Sequence, residues 1–210
     1  MYYKDQLVMS YTIKYPEFIS EKFEIVLKKL NLLYKTKAFM YEKFNVMKLY
    51  QMAIEEYEYS VANGYPIRTY ESFINYNVTY NQNCAISLYF DTYEYTGGAH
   101  GNTIRTSDTW DLQKGKEIEL SELFPNIKNY QEYIIKIINQ EITNQLNDES
   151  NQYFEDYQKL VTENFNINSF YLIQEGVVIY FQHYDIAPYS SGIPTFIIPY
   201  TVGITEQPKC

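Results

Sequence analysis

The chain has 210 residues, with 17 Lys and Arg against 26 Asp and Glu, for a formal charge of −9. With 46% apolar and 20% charged residues it has the composition of a globular protein large enough to bury a core, which excludes a disordered chain. No basic surplus exists to displace counterions from phosphates, which excludes a nucleic-acid binder; the acidity suits a cationic partner or simple solubility.

Residues 8–15 read as a first strand ended by Pro16. From residue 17 to 63 there is no Gly or Pro, and apolar residues recur mostly every three or four positions: Ile19, Phe23, Val26, Leu27, Leu30 and Leu33/Tyr34, then Phe39, Phe44, Met47, Tyr50, Ile54 and Tyr57. This predicts one bent helix or two in tandem, with a soft point near 31–36 and a stop at Asn63-Gly64. Residues 70–80 alternate, with Tyr70, Ser72, Ile74, Tyr76, Val78 and Tyr80 on one face and a hairpin turn at 81–83. Residues 84–96 form the return strand, in which Cys84 is a small buried hydrophobe; a Cys84–Cys210 disulfide is possible, but two cysteines make no framework. The glycine-rich segment 96–102 interrupts the pattern, strands follow at 103–111 and 117–120, and connections this short predict an antiparallel meander. Helices are expected at 130–146 and 152–164, a hairpin at 170–173 and 177–181, a Pro- and Tyr-rich loop at 183–194, and a last strand at 195–200 with Pro199 at an edge. The expected fold class is therefore α+β: an antiparallel β-sheet with helices packed on one face and a long N-terminal helical segment. Residues 1–66 form the smaller half and 67–210 the sheet-and-helix half of one unit.

Tyrosine is the compositional outlier, with 25 Tyr beside 12 Phe and 1 Trp. It builds either a Tyr-rich sheet or a recognition surface for sugar or protein, because a rigid ring with a polar tip anchors well. The two histidines, His100 and His183, sit in loops without further ligands at metal spacing, so no metal and no cofactor is expected. Segment 97–102 lacks the phosphate-loop pattern, and Gly97, Gly98 and Gly101 read as positions of positive φ or close backbone approach. No nucleophile elbow is present, and Asp91, Glu94, Asp108 and Asp111 are acid–base candidates only in the weak sense that carboxylates meet in a fold. The N-terminus carries no signal-peptide pattern and no transmembrane run occurs, so the chain reads as cytoplasmic or as a trimmed ectodomain.

Two ordered segments carry a resemblance. YTGGAHGNT (95–103), followed by Trp110-Asp111-Leu112, Gly115-Lys116 and Leu120-Ser121-Glu122-Leu123-Phe124, is the first; Gly176 to Phe181 and APYSSGIPTFIIPY (187–200) is the second. Together they resemble the extracytoplasmic domain of RsiV-type, lysozyme-sensing anti-sigma factors of Gram-positive bacteria, also found as the non-catalytic region of PdaC-type peptidoglycan deacetylases. The resemblance implies an extracytoplasmic binding domain without catalysis, with a lysozyme-like muramidase as the partner. The expected contacts are Gly97, Gly98, His100 and Asn102 in one loop and Tyr184, Pro188, Tyr189, Gly192 and Pro194 in the other. The alternative is a domain that binds peptidoglycan or another polysaccharide, or a cryptic glycoside hydrolase; a structural protein of the spore or envelope is a third.

Overall fold

The computed structural model describes residues 1–147 and 152–210. They form two compact units, the first from residues 1–76 and 90–105, the second from 77–89 and 106–210.

In the first unit the N-terminus holds a hairpin that the sequence reading missed, β1 (Tyr2–Tyr3) against β2 (Gln6–Leu7). Its turn residues Lys4 and Asp5 have φ of 46° and 61°, the left-handed pair that a two-residue type I′ turn requires. The expected strand at 8–15 shortens to β3 (Met9–Ile13), which pairs in parallel with β4 (Tyr70–Gln82), Met9 opposite Tyr70 and Ile13 opposite Ile74. The fold class is as expected, antiparallel sheets with helices packed against them, and this parallel pair adds to the antiparallel meander expected from residue 70 onward. Short connections exclude parallel pairing between neighbours, but the helical segment between β3 and β4 is a crossover of ample length.

That segment is α1 (Glu24–Tyr41), a π-helical turn (Glu42–Val46) and α2 (Met47–Asn63). The soft point expected near 31–36 is absent, because α1 runs straight through it. The irregularity falls at the π turn instead, where the buried series Leu27, Leu30, Tyr34 and half-buried Tyr41 steps five residues to Val46 before resuming at Leu49 and Ala53. The extra residue keeps both apolar stripes on the core side. The predicted stop holds: Gly64, at φ 68°, donates its N–H to Val61 O and the next N–H, of Tyr65, reaches Ser60 O, a Schellman cap. Val8, Met9, Val46, Leu49, Ala53 and Tyr70 make this unit's core. Polar contacts fasten it, among them these: the Asn31 side chain bonds the backbone of Phe18 in both directions at 2.9 Å, Tyr41 donates to Glu94 Oε1 at 2.6 Å, and Arg105 holds Asp91 in a two-bond fork at 2.8 and 2.7 Å.

β4 is followed by β5 (Ala85–Tyr95), β6 (Asn102–Asp111) and β7 (Lys116–Glu117), hydrogen-bonded in the order β3-β4-β5-β6-β7. The turn expected at 81–83 lies at Asn83-Cys84, both with positive φ (51° and 57°), again a type I′ pair. Cys84 is thus a turn residue rather than a strand residue, and it is bonded to Cys210 across 126 residues. Before β7, Asp111 Oδ1 accepts the N–H groups of Gln113 and Lys114, and Gly115 follows at φ 63°.

The second unit carries α3 (Tyr130–Gln145) and α4 (Tyr157–Asn164), the latter five residues later than expected. There the N–H of Phe154 is taken by Ile186 O, outside any helix. A separate antiparallel sheet in the order β10-β9-β8 is formed by β8 (Phe170–Leu172), β9 (Gly176–Tyr180) and β10 (Thr195–Pro199), so the β-structure is divided among sheets rather than held in one. Ile134, Ile138 and Ile142 recur every four residues along α3 and pack with Leu172, Val177, Ile179, Phe196 and Ile198 from the sheet.

Ser87, Thr109, Ser169 and Thr205 are buried polar residues of this unit, and the first of them bonds across elements. Ser87 Oγ, fully buried, accepts the N–H of Leu172 at 2.9 Å and lies 2.7 Å from the Thr109 hydroxyl. Ser87→Ala leaves a buried N–H without an acceptor and is expected to remove about 1–3 kcal/mol of stability. Thermal unfolding checks this: a melting temperature within 1 °C or so of the parent would show that the bond contributes nothing net.

Candidate functional site

The loop joining β5 to β6, residues 96–101, is held by its glycines at two of three positions. Gly97 has φ 92° and lies over the Arg68 side chain, while a Cβ on Gly101 would lie 2.6 Å from the Tyr93 hydroxyl oxygen and closer still to its ring. Gly98 needs neither freedom: its φ is ordinary and a Cβ there would meet only a carbonyl at 3.6 Å. His100 is exposed, and its Nδ1 donates to Gly101 O at 2.8 Å, so the imidazole ties the turn. Asn102 is exposed at the first position of β6. This loop belongs to the first unit.

The loop leaving β9 belongs to the second unit and is more constrained. Asp185 Oδ2 accepts the N–H of Gln182 at 2.7 Å, Asn164 Nδ2 donates to Asp185 O at 2.7 Å, and Ser191 Oγ donates to Gln152 O at 3.0 Å. Burial pushes the Asp185 carboxyl above the usual carboxylate range, with the Gln182 N–H acting in the opposite sense. Pro188 precedes a short 3₁₀ turn (Tyr189–Ser191), and Gly192 ends it at φ 73°, ψ −152°, a region that only glycine occupies readily. Pro194 is buried, and its carbonyl takes the N–H of Phe181.

On this frame three rings gather. His183 stacks on Tyr189 with centroids 4.4 Å apart, and the Tyr184 ring is tilted against Tyr189 at 5.8 Å. Tyr184 is 55% exposed and has φ 68°, an uncommon angle for a tyrosine. The sequence singled out Tyr184, Pro188, Tyr189, Gly192 and Pro194, and the structure brings them into one loop. It adds His183 as a third ring, which the sequence considered as a metal ligand or as a base for the nearby serines, not as part of an aromatic cluster. Its proximity in sequence was visible; its stacking was not.

Of the four carboxylates offered for acid–base work, three have structural occupations: Asp91 with Arg105, Glu94 with Tyr41, and Asp111 with its turn N–H groups and Lys114. Those N–H groups and the Lys114 ammonium hold Asp111 below the usual range, against the effect of its burial. Asp108 lines a cleft of about 470 Å³ together with Ser107, Glu117, Glu119, Ser121 and Tyr130, and Asp111 lines a smaller one of about 230 Å³. Among the described residues no group of three or more His, Cys, Asp or Glu side chains gathers as metal ligands would, and no helix is long and apolar enough to cross a membrane.

Two family models match in succession. "Deacetylase PdaC" covers residues 3–103 and "Protein of unknown function (DUF3298)" covers 121–201. The chain resembles the non-catalytic region of PdaC-type proteins. It is 22% identical over 126 residues to the peptidoglycan-N-acetylmuramic acid deacetylase PdaC of Bacillus subtilis (strain 168), a match covering 60% of this chain and 24% of that protein. The chain thus matches about a quarter of that relative's length. Two solved DUF3298 family proteins have the same fold. The one from Bacteroides fragilis NCTC 9343 aligns with a TM-score of 0.54 and 21% identity over 88% of this chain and 69% of its own. The one from Pseudomonas aeruginosa PAO1 aligns with a TM-score of 0.50 and 22% identity over 71% of this chain and 68% of its own. The PdaC-like match contains the 96–101 loop, and the DUF3298 match contains the whole ring cluster His183, Tyr184 and Tyr189.

Proposed function

We propose that this chain is a non-catalytic binding domain of the cell envelope, acting outside the cytoplasm, whose partner is a cationic, lysozyme-like muramidase. The observation that carries the reading is the ring cluster of Tyr184, Tyr189 and His183 on a loop fixed by backbone and side-chain bonds. A pre-ordered aromatic anchor binds with little entropy left to lose. The −9 charge supplies attraction for a cationic partner and a salt-dependent association rate. The match to a peptidoglycan deacetylase supports an envelope setting. Gly97, Gly98, His100 and Asn102 enter the proposal as a separate contact segment.

Calorimetric titration with a c-type lysozyme at low and moderate salt tests this. Binding that weakens with salt is expected, and Tyr184→Ala with Tyr189→Ala should reduce affinity at least about tenfold, the range of an aromatic anchor. His100→Ala with Asn102→Ala tests the other loop on its own. Affinity unchanged by the tyrosine substitutions sinks the loop assignment, and absence of binding sinks the partner.

A second reading, peptidoglycan or another glycan as the ligand, is favoured by the cleft, where Asp108, Glu117 and Glu119 stand with two serine hydroxyls and the Tyr130 ring. It predicts retention on purified peptidoglycan that is insensitive to salt.

A further inference from the structure

A helix on a protein surface is ordinarily apolar toward the core and polar toward water. α1 is apolar on both sides. Leu27, Leu30 and Tyr34 face inward and are buried, while Ile25, Leu32 and Phe39 are 74, 66 and 59% exposed. These three recur every seven residues, two helical turns, so they draw one line about 21 Å long on the outer side. Lysines border it. Lys28 and Lys35 each follow an apolar member of the line by three residues, and Lys29 follows Ile25 by four, so the line is basic on both flanks. All three are exposed, and Lys28 shares its charge with Glu24 at 2.5 Å. Past the line, Phe44 and Met47 are 56 and 50% exposed beside exposed Lys43 and Lys48. Residues 24–48 hold six lysines and two glutamates in a chain whose total charge is −9.

We infer that the outer face of α1 is a docking surface for an anionic lipid bilayer, with the helix lying in the plane of the headgroups. The argument is charge complementarity combined with the apolar line. Lysines at the edges suit phosphate headgroups, and their methylene stems reach up from beside buried apolar side chains. A soluble anionic polymer would answer the lysines and leave Ile25, Leu32 and Phe39 in water. A bilayer answers both. The basic segment also orients the molecule, because the remainder of the chain is strongly acidic and is repelled by the same surface. This inference is independent of the ring cluster and of its partner.

Co-sedimentation of the full chain with vesicles of pure phosphatidylcholine, or of phosphatidylcholine containing a quarter phosphatidylglycerol, tests it at low salt. Partitioning is expected to be at least about tenfold stronger into the anionic vesicles. Leu32→Glu with Phe39→Glu, and separately Lys29→Glu with Lys35→Glu, should each reduce it by about tenfold or more. The altered side chains are exposed, so circular dichroism and melting temperature should match the parent. Equal partitioning into both vesicles, absence of partitioning, or native-like partitioning of either double variant would overturn the proposal. So would a dimer in sedimentation equilibrium that is abolished by Leu32→Glu with Phe39→Glu in a protein that ignores vesicles, an outcome assigning the face to a second copy.

Discussion

Replacing both Cys84 and Cys210 by serine will lower the melting temperature by roughly 10 °C. The disulfide closes a loop spanning 126 positions, and in the chain-entropy account a crosslink of that reach removes about 4–5 kcal/mol from the denatured side, with about 2–4 typical in practice. For a chain of this size each kcal/mol is worth about 2–4 °C. The placement adds a second part to the prediction. Cys84 occupies a left-handed turn position, φ 57°, which disfavours any residue with a Cβ. Cys84→Gly with Cys210→Ser should therefore recover about 1 kcal/mol relative to the double serine variant. Differential scanning calorimetry of the three proteins checks both parts. If the double serine variant melts within 2 °C or so of the parent, the crosslink merely tethers the segment around Glu206, whose N–H already bonds Leu123 O.

Gly176→Ala should cost about 3 kcal/mol or more and lower the yield of folded protein. Gly176 begins β9 opposite Pro199 of β10. A Cβ there would fall inside contact distance of the Ile198 carbonyl oxygen, 2.9 Å from its carbonyl carbon and 3.0 Å from the Pro199 Cα. These are backbone atoms, which no rotamer change can move aside, so the strand pair must separate along its ladder. Gly192→Ala is the control, because its Cβ would meet nothing within 4 Å and only the backbone angle resists it. It should cost about 1–3 kcal/mol and act on the ring-bearing loop rather than on the sheet. Equal stability of Gly176→Ala and the parent by chemical denaturation would show that β10 yields freely at this point.

Much of the fold was legible because local rules coincide with tertiary ones there. The isoleucines of α3 at spacing four, the alternation in β4, and Gly64 after Asn63 each encode their element through neighbours a few residues away. The turn at Asn83-Cys84 was misplaced because Cys is an unusual occupant of a left-handed position, tolerated where a disulfide holds it. Likewise Lys4-Asp5 lacks the Asn-Gly pattern that announces a two-residue hairpin. The break placed near 31–36 followed only from the length of the segment, which exceeds a typical helix, whereas the π turn at Glu42–Val46 answers the need to keep Tyr41 and Val46 on one face. The tyrosine loop was visible from its prolines and aromatics, but the ring stacking of His183 and the bonds from Asn164 and Gln152 were not. Those partners lie up to 39 residues away in the chain.

By itself the sequence determined the class of the molecule: an acidic, Tyr-rich α+β chain with a long helical N-terminal segment and two ordered glycine- and proline-marked loops. These properties are written in composition and in periodicities of two to seven residues, which any window of the chain displays. Only the tertiary structure decided the parallel pairing of β3 with β4, the Cys84–Cys210 bond, and the division of the chain into two units. It alone also decided which of α1's two apolar sides meets the core. Each of these joins residues tens of positions apart, and which distant surfaces meet is settled by the packing of the whole chain rather than by the residues that flank them.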